Sequence, residues 1–307
     1  MRNAIFFMLG MLLPLYGLVA QSVTYKEVQD VSYLPENAEV DSLRMLNLVL
    51  PQSVDTLPLF VWIGGGAWSY VDRSMEMDFA RKVAREGIAV ASVGHRLSSA
   101  VWQDSSLTAG VRHPAHVQDI AQAVAWLYNH AGEYGYSKDH IFIGGYSSGA
   151  HLAALLSMDE QYLTEVGLST DVLKGVIPVA GAYDIVDYYH VFLNSESKAS
   201  NAMADTHVKA VFGETEADMQ AASPMTYIDR LSTPMLLISE SDLYNYTELF
   251  EDKLREAEFD DWSVLHVREL GHSGLWKDLS YNTQSAYRDF IIGFIKAQSQ
   301  SAPVKPS

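Results

Sequence analysis

The sequence predicts an α/β fold, with a mainly parallel central sheet and helices on both faces. Three observations predict it. Strand-like and helix-like segments alternate along the chain. Several strand-like segments, such as residues 57–63 and 88–93, are continuous apolar runs, as suits strands covered on both sides. The apolar run His140-Ile141-Phe142-Ile143-Gly144 passes through Gly145-Tyr146-Ser147-Ser148-Gly149 into the helix-like run at 150–156. That is strand, sharp turn and helix, with a serine at the apex.

The elements follow in order. Residues 4–20 are nearly all apolar, preceded by Arg2 and interrupted by Pro14, Tyr16 and Gly17. With Ala20 before Gln21 as a cleavage point, residues 1–20 read as a secretory signal peptide, and the protein is expected to be secreted or periplasmic. An uncleaved anchor is the rival reading, and Pro14 and the short run favour removal. Residues 21–297 form the expected domain. Residues 43–50 alternate as an early strand, and 57–63 and 88–93 are buried strands. A helix over 75–86 stops at Gly87, and a helix over 114–128 has Pro114 at its start. Strands follow at 176–179 and 235–238, a helix at 244–257, a strand at 262–267 and a closing helix at 283–297. The polar tail is 298–307. Residues 184–219, rich in Tyr, His, Asn and Ser, fit the alternation poorly and read as a small lid-like insertion or substrate wall, since they follow a strand end.

Composition narrows the function. The 307 residues are 48% hydrophobic and 19% charged, with a formal charge of -17. This acidity argues against nucleic acid, whose phosphates require a basic footprint. There is no cysteine, so disulfides and thiolate chemistry are excluded. No stretch after residue 20 is long and apolar enough to span a bilayer.

The chemistry starts from Ser147. A serine hydroxyl needs an oriented base to become nucleophilic. His272, in the glycine-flanked stretch Leu270-Gly271-His272-Ser273-Gly274 after a strand, is the expected base, and His266, inside that strand, is expected to be structural. The strand at 235–238 leads into Ser239-Glu240-Ser241-Asp242. Asp242, just beyond the strand end, is the first choice for the acid, and Glu240 is its competitor. Gly64-Gly65-Gly66-Ala67-Trp68 follows a buried strand, and the N–H groups of Gly66, Ala67 and Ser148 are expected to form an oxyanion hole. His113, His116 and Asp119 have a spacing that could suggest a metal site, but at a helix start they read as capping and packing groups.

Several motifs in order resemble the α/β-hydrolase superfamily, in the small carboxylesterase branch that includes feruloyl-esterase-like and arylformamidase-like enzymes. Trp62-Ile63-Gly64-Gly65-Gly66-Ala67-Trp68 resembles the H-G-G-[GA]-W oxyanion segment. Gly94-His95-Arg96-Leu97-Ser98 resembles N-Y-R-L-S, and Gly145-Tyr146-Ser147-Ser148-Gly149-Ala150-His151-Leu152 resembles G-H-S-A-G-A-H-L. The likeness extends from about residue 31 to the closing helix. Gly64 departs from it where the family carries a histidine, His95 stands for a tyrosine, and Tyr146 stands for a histidine. The resemblance implies a serine carboxylester hydrolase working through Ser147, His272 and Asp242, without a cofactor, on a small-molecule or polysaccharide-linked ester. Amide hydrolysis of the arylformamidase kind, and a non-catalytic binding protein on the same fold, are the alternatives.

Overall fold

The computed structural model describes residues 24–53 and 56–300. The expected signal peptide and residues 301–307 of the expected tail lie outside them. In chain order the elements that position the site are β1 (Tyr25–Ser32), β2 (Met45–Pro51), β3 (Leu57–Ile63), α1 (Met77–Ala84), β4 (Ala89–Val93), α2 (Ala115–Asn129), β5 (Tyr136–Tyr146), α3 (Ser148–Met158) and β6 (Leu173–Val179). After them come α4 (Ile185–Leu193), α5 (Glu216–Ala222), β7 (Met235–Glu240), α6 (Tyr244–Glu256), β8 (Trp262–Val267), α7 (His272–Tyr281) and α8 (Ala286–Gln300).

The eight strands form one sheet in the order β1-β2-β4-β3-β5-β6-β7-β8. β2 pairs antiparallel with β1 and β4, and every other pairing is parallel. The apolar runs are continuous because the inner strands, such as β3, β4 and β7, bury both faces. In β3, Leu59, Val61 and Ile63 enter one core with α2 and α3, whereas Phe60 and Trp62 enter the opposite core with α1, α7 and α8. β7 divides the same way: Met235 and Leu237 face α2 and α3, and Leu236 and Ile238 face α1, α7 and α8.

Several boundaries differ from the sequence reading. β1, unread in the sequence, is an edge strand carrying Lys26, Glu27, Gln29 and Asp30, so apolar alternation does not mark it. β7 runs two residues past Ile238, to Glu240. The glycine-flanked stretch at 270–274 is helical from His272 onward. The closing helix extends to Gln300, three residues into the expected tail. Residues 184–219 fold into short helices around α4, with a π-helical turn at Ala204–Lys209.

Candidate active site

The turn after β5 is strained. Ser147 has φ 55° and ψ −117°. A non-glycine residue held at positive φ persists only where its surroundings fix it. Here they do: Ser147 N donates to Val179 O at 2.8 Å, and Ser147 O accepts from Ala150 N as α3 begins. Gly149 lets α3 approach β3, since a Cβ there would lie 2.1 Å from Ile63 O. Gly65 lets the next loop approach the turn, since a Cβ there would lie 3.1 Å from both Ser147 Cβ and Tyr146 O.

Ser147 and His272 line one cavity of about 220 Å³, together with Gly65, Gly66, Tyr70, Asp72, Met75, Glu76, Tyr146, Ser273 and Trp276. Gly66 is therefore in the wall. Ala67 follows it in the chain with φ 47°, and Ser148 is buried at the first turn of α3, so both are adjacent to the cavity without lining it.

The structure corrects the placement expected of Asp242. Its carboxylate does not meet the imidazole; Asp242 Oδ2 accepts from the backbone N of His272 at 2.7 Å. The carboxylate on the ring belongs to Glu240, whose Oε1 lies 3.0 Å from His272 Nδ1. The reason is strand parity. β7 continues to Glu240, which shares the face of Leu236 and Ile238, and α7 packs its Leu275 and Leu279 on that face. Glu240 is fully buried and its Oε2 accepts from Asp242 N, so the two acids are linked through the backbone. Asp242 instead fixes the loop, helped by Ser241, whose N and Oγ both donate to Leu270 O.

Tyr146, on the same face of the sheet, donates its hydroxyl to His272 O, with its ring centroid 5.0 Å from the imidazole. Burial, and then the nearby Glu240 charge, hold this phenol well above its ordinary pKa, so it remains a donor. His266 occupies the other face. Its Nδ1 meets Ser239 Oγ at 2.7 Å and its Nε2 lies 3.0 Å from Glu251 Oε1, away from Ser147.

The glycine-rich loop is anchored from behind by Trp68. Its backbone is left-handed, with φ 57°, and its side chain is buried. Trp68 Nε1 donates to His151 Nδ1 at 3.3 Å, and His151 Nε2 meets Ala222 O at 2.8 Å. Burial lowers the His151 pKa to about 3, which keeps the ring neutral and suited to accept at Nδ1 while donating at Nε2. Phe212 and Tyr188 of the insertion close around the indole at 4.8 and 6.2 Å between ring centroids. The insertion thus braces the loop, and the cavity walls come from other segments.

The spaced trio at the start of α2, with His113 just before the helix, has separate partners. His113 Nε2 meets Tyr162 Oη at 3.4 Å, His116 Nε2 meets Ser98 Oγ at 2.9 Å, and buried Asp119 takes Arg96 and Arg44. Among the described residues no cluster of His, Asp and Glu is arranged to hold a metal.

Sequence reasoning missed Tyr70, Asp72, Met75, Glu76 and Trp276. Trp276 carried a signal, because it lies four residues after His272 and so on the same face of a helix. Glu76 carried none, since its partners are remote in the chain.

Comparison with known proteins bears on the family and the fold. The BD-FAE family model matches residues 46–243, more than half of the 307-residue chain. Esterase LipC of Mycobacterium tuberculosis is 26% identical over 226 residues, covering 70% of this chain and 52% of that protein. Kynurenine formamidase of Danio rerio is 26% identical over 187 residues, covering 60% of this chain and 56% of that one. The chain spans about half the length of these curated relatives. The crystal structure of an inhibited Esterase B from Lactobacillus rhamnosis superposes with a TM-score of 0.73 at 20% identity, covering 90% of this chain and 88% of that one. The fold is that of the α/β-hydrolases.

Proposed function

The chain belongs to the BD-FAE family, and on that premise we propose that it is a serine carboxylic ester hydrolase acting through Ser147, His272 and Glu240. One observation carries the reading: a serine strained at φ 55° shares a cavity with a histidine whose Nδ1 is held by a fully buried carboxylate. Glu240 on Nδ1 fixes the tautomer with Nε2 free to take the serine proton. Ser147 Oγ attacks the ester carbonyl, and the proton passes to His272. The C–O bond breaks as His272 returns the proton to the leaving alcohol. Water, deprotonated by His272, then hydrolyses the acyl-enzyme and frees the acid and Ser147.

The oxyanion is held by N–H groups of the loop at Gly66 and Ala67 and by Ser148 N–H at the start of α3. Gly65 brings that loop against the turn. The cavity walls supply Tyr70, Met75, Tyr146 and Trp276 for a small acyl or alcohol group, which suits a small-molecule ester or an ester borne on a polysaccharide. None of these steps calls for a cofactor.

Amide hydrolysis is a second reading, favoured by the formamidase among the relatives. Turnover of p-nitrophenyl acetate, p-nitrophenyl butyrate and methyl ferulate beside N-formylaniline separates the two. Faster ester turnover supports the esterase reading, formamide-only turnover the second, and inactivity on all four a non-catalytic role. The signal-like segment at residues 1–20 further supports export. Mature protein is then expected to begin near Gln21 outside the cytoplasm, and N-terminal sequencing that finds Met1 on cytosolic protein contradicts it.

A further inference from the structure

Resting on the esterase reading, we propose that Glu76 is a positioning residue that sets the oxyanion loop against the helix carrying His272. Glu76 ends the 3-10 turn Arg73–Glu76 before α1 and is 3% exposed. A carboxyl buried this deeply requires hydrogen-bond partners. Both of its partners are indoles: Trp62 Nε1 donates to Oε2 at 2.7 Å, and Trp276 Nε1 donates to Oε1 at 3.2 Å. Trp62 is the penultimate residue of β3, immediately before the loop. Trp276 stands one turn beyond His272 on α7. One carboxyl therefore bridges the two segments whose separation sets the distance from oxyanion donors to base.

Contact with the loop itself is equally direct. A Cβ on Gly64 would lie 2.9 Å from Glu76 Cγ and 3.1 Å from its Oε1. Glu76 thus fills the space a side chain at position 64 would take, and the loop backbone rests on it. The family resemblance places a histidine at 64. Here glycine at 64 and the carboxyl of Glu76 are a matched pair, with the supporting polar group delivered from another segment. Glu76 also stands in the cavity wall beside Gly65, Gly66, Ser147 and His272. Burial raises its pKa, and the two indole N–H groups oppose that rise.

A bridge of this kind acts on transition-state geometry, whereas an ordinary buried acid acts on stability alone. The discriminating variant is Glu76→Gln in the full chain. Glutamine keeps the shape but turns an NH₂ donor toward one indole N–H, so one bond is lost. Misplacing reacting groups by an ångström costs about a hundredfold, so kcat on p-nitrophenyl acetate is expected to fall about tenfold to a hundredfold with KM little changed. Inactivation by a fluorophosphonate is expected to slow in parallel. Trp276→Phe, at a half-buried site, removes one donor and keeps the ring. It is expected to give a smaller loss of kcat that does not add to that of Glu76→Gln.

Folded Glu76→Gln with wild-type kcat, or with only a lowered melting temperature, overturns the inference. If Glu76→Gln does not fold, wild-type kcat in Trp276→Phe overturns it. A wild-type protein that reacts with neither ester nor fluorophosphonate refutes the esterase reading itself, and this inference falls with it.

Discussion

His272 Nδ1 lies 3.0 Å from Glu240 Oε1, while the carboxylate of Asp242 meets the backbone N–H of the same histidine. Two acids two residues apart thus take different roles. One orients the ring, and the other fixes the chain that carries it. Removing each should therefore produce a different kind of loss.

Glu240→Gln is expected to lower kcat by about ten thousandfold, the scale seen when the orienting acid of a triad is neutralised and the wrong imidazole tautomer is favoured. Asp242→Asn keeps an oxygen for the His272 N–H and is expected to lose far less. Steady-state kinetics of both variants on one short ester decide the matter, and the reverse ranking returns the ring-orienting role to Asp242.

Trp68→Ala opens a cavity beneath the glycine-rich loop among His151, Tyr188 and Phe212. Truncating a buried Trp costs about 3–5 kcal/mol, and the loop it anchors carries N–H groups proposed to hold the oxyanion, so stability and kcat should both fall. Trp68→Phe retains most of the packing and loses only the N–H to His151, so it should lie between. Urea unfolding and ester turnover check both. Full turnover in a folded Trp68→Ala protein would show that the loop does not depend on this anchor.

Gly149→Ala tests the turn. The new Cβ would sit 2.1 Å from Ile63 O, with backbone on both sides. Backbone must move, so α3 and Ser147 shift together, and activity should be lost even where circular dichroism shows a folded protein. Wild-type turnover in this variant is the contrary result.

The parts of the fold legible in the sequence are those whose pattern follows from burial. β3 was plain because Leu59, Val61 and Ile63 fill one core while Phe60 and Trp62 fill the other. The strand-to-helix turn that carries Ser147 is legible because glycines on both sides of a serine mark a sharp, closely packed bend. The place of Glu240 is hidden because the apolar run stops at Ile238, whereas two polar residues continue the strand. Counting parity from Leu236 would have placed Glu240 on the face that α7 covers. The Glu76–Trp276 contact joins residues 200 positions apart, and no local pattern encodes it.

Several buried histidines, His151 and His207 among them, set an acid limit on stability. From an ordinary 6.5, burial lowers the His151 pKa to about 3 and that of His207 to about 4. As pH falls below 6.5 the unfolded chain protonates both while the folded chain does not. Their stabilising effect is complete above that pH and is lost as pH drops from about 6.5 toward 4, by up to about 1.4 kcal/mol per pH unit for each histidine. Urea midpoints should therefore be lower at pH 5 than at pH 7, and His151→Gln, which can still accept and donate, should flatten the dependence. An equal midpoint at both pH values contradicts this assignment.

The most direct measurement of the central claim is the site of covalent capture. Wild-type protein treated with a fluorophosphonate and digested should carry a single phosphonyl adduct on the peptide containing Ser147. Ser147→Ala should carry none, and Glu240→Gln should acquire it far more slowly. An adduct on another serine, or equal labelling of wild type and Ser147→Ala, would contradict the account.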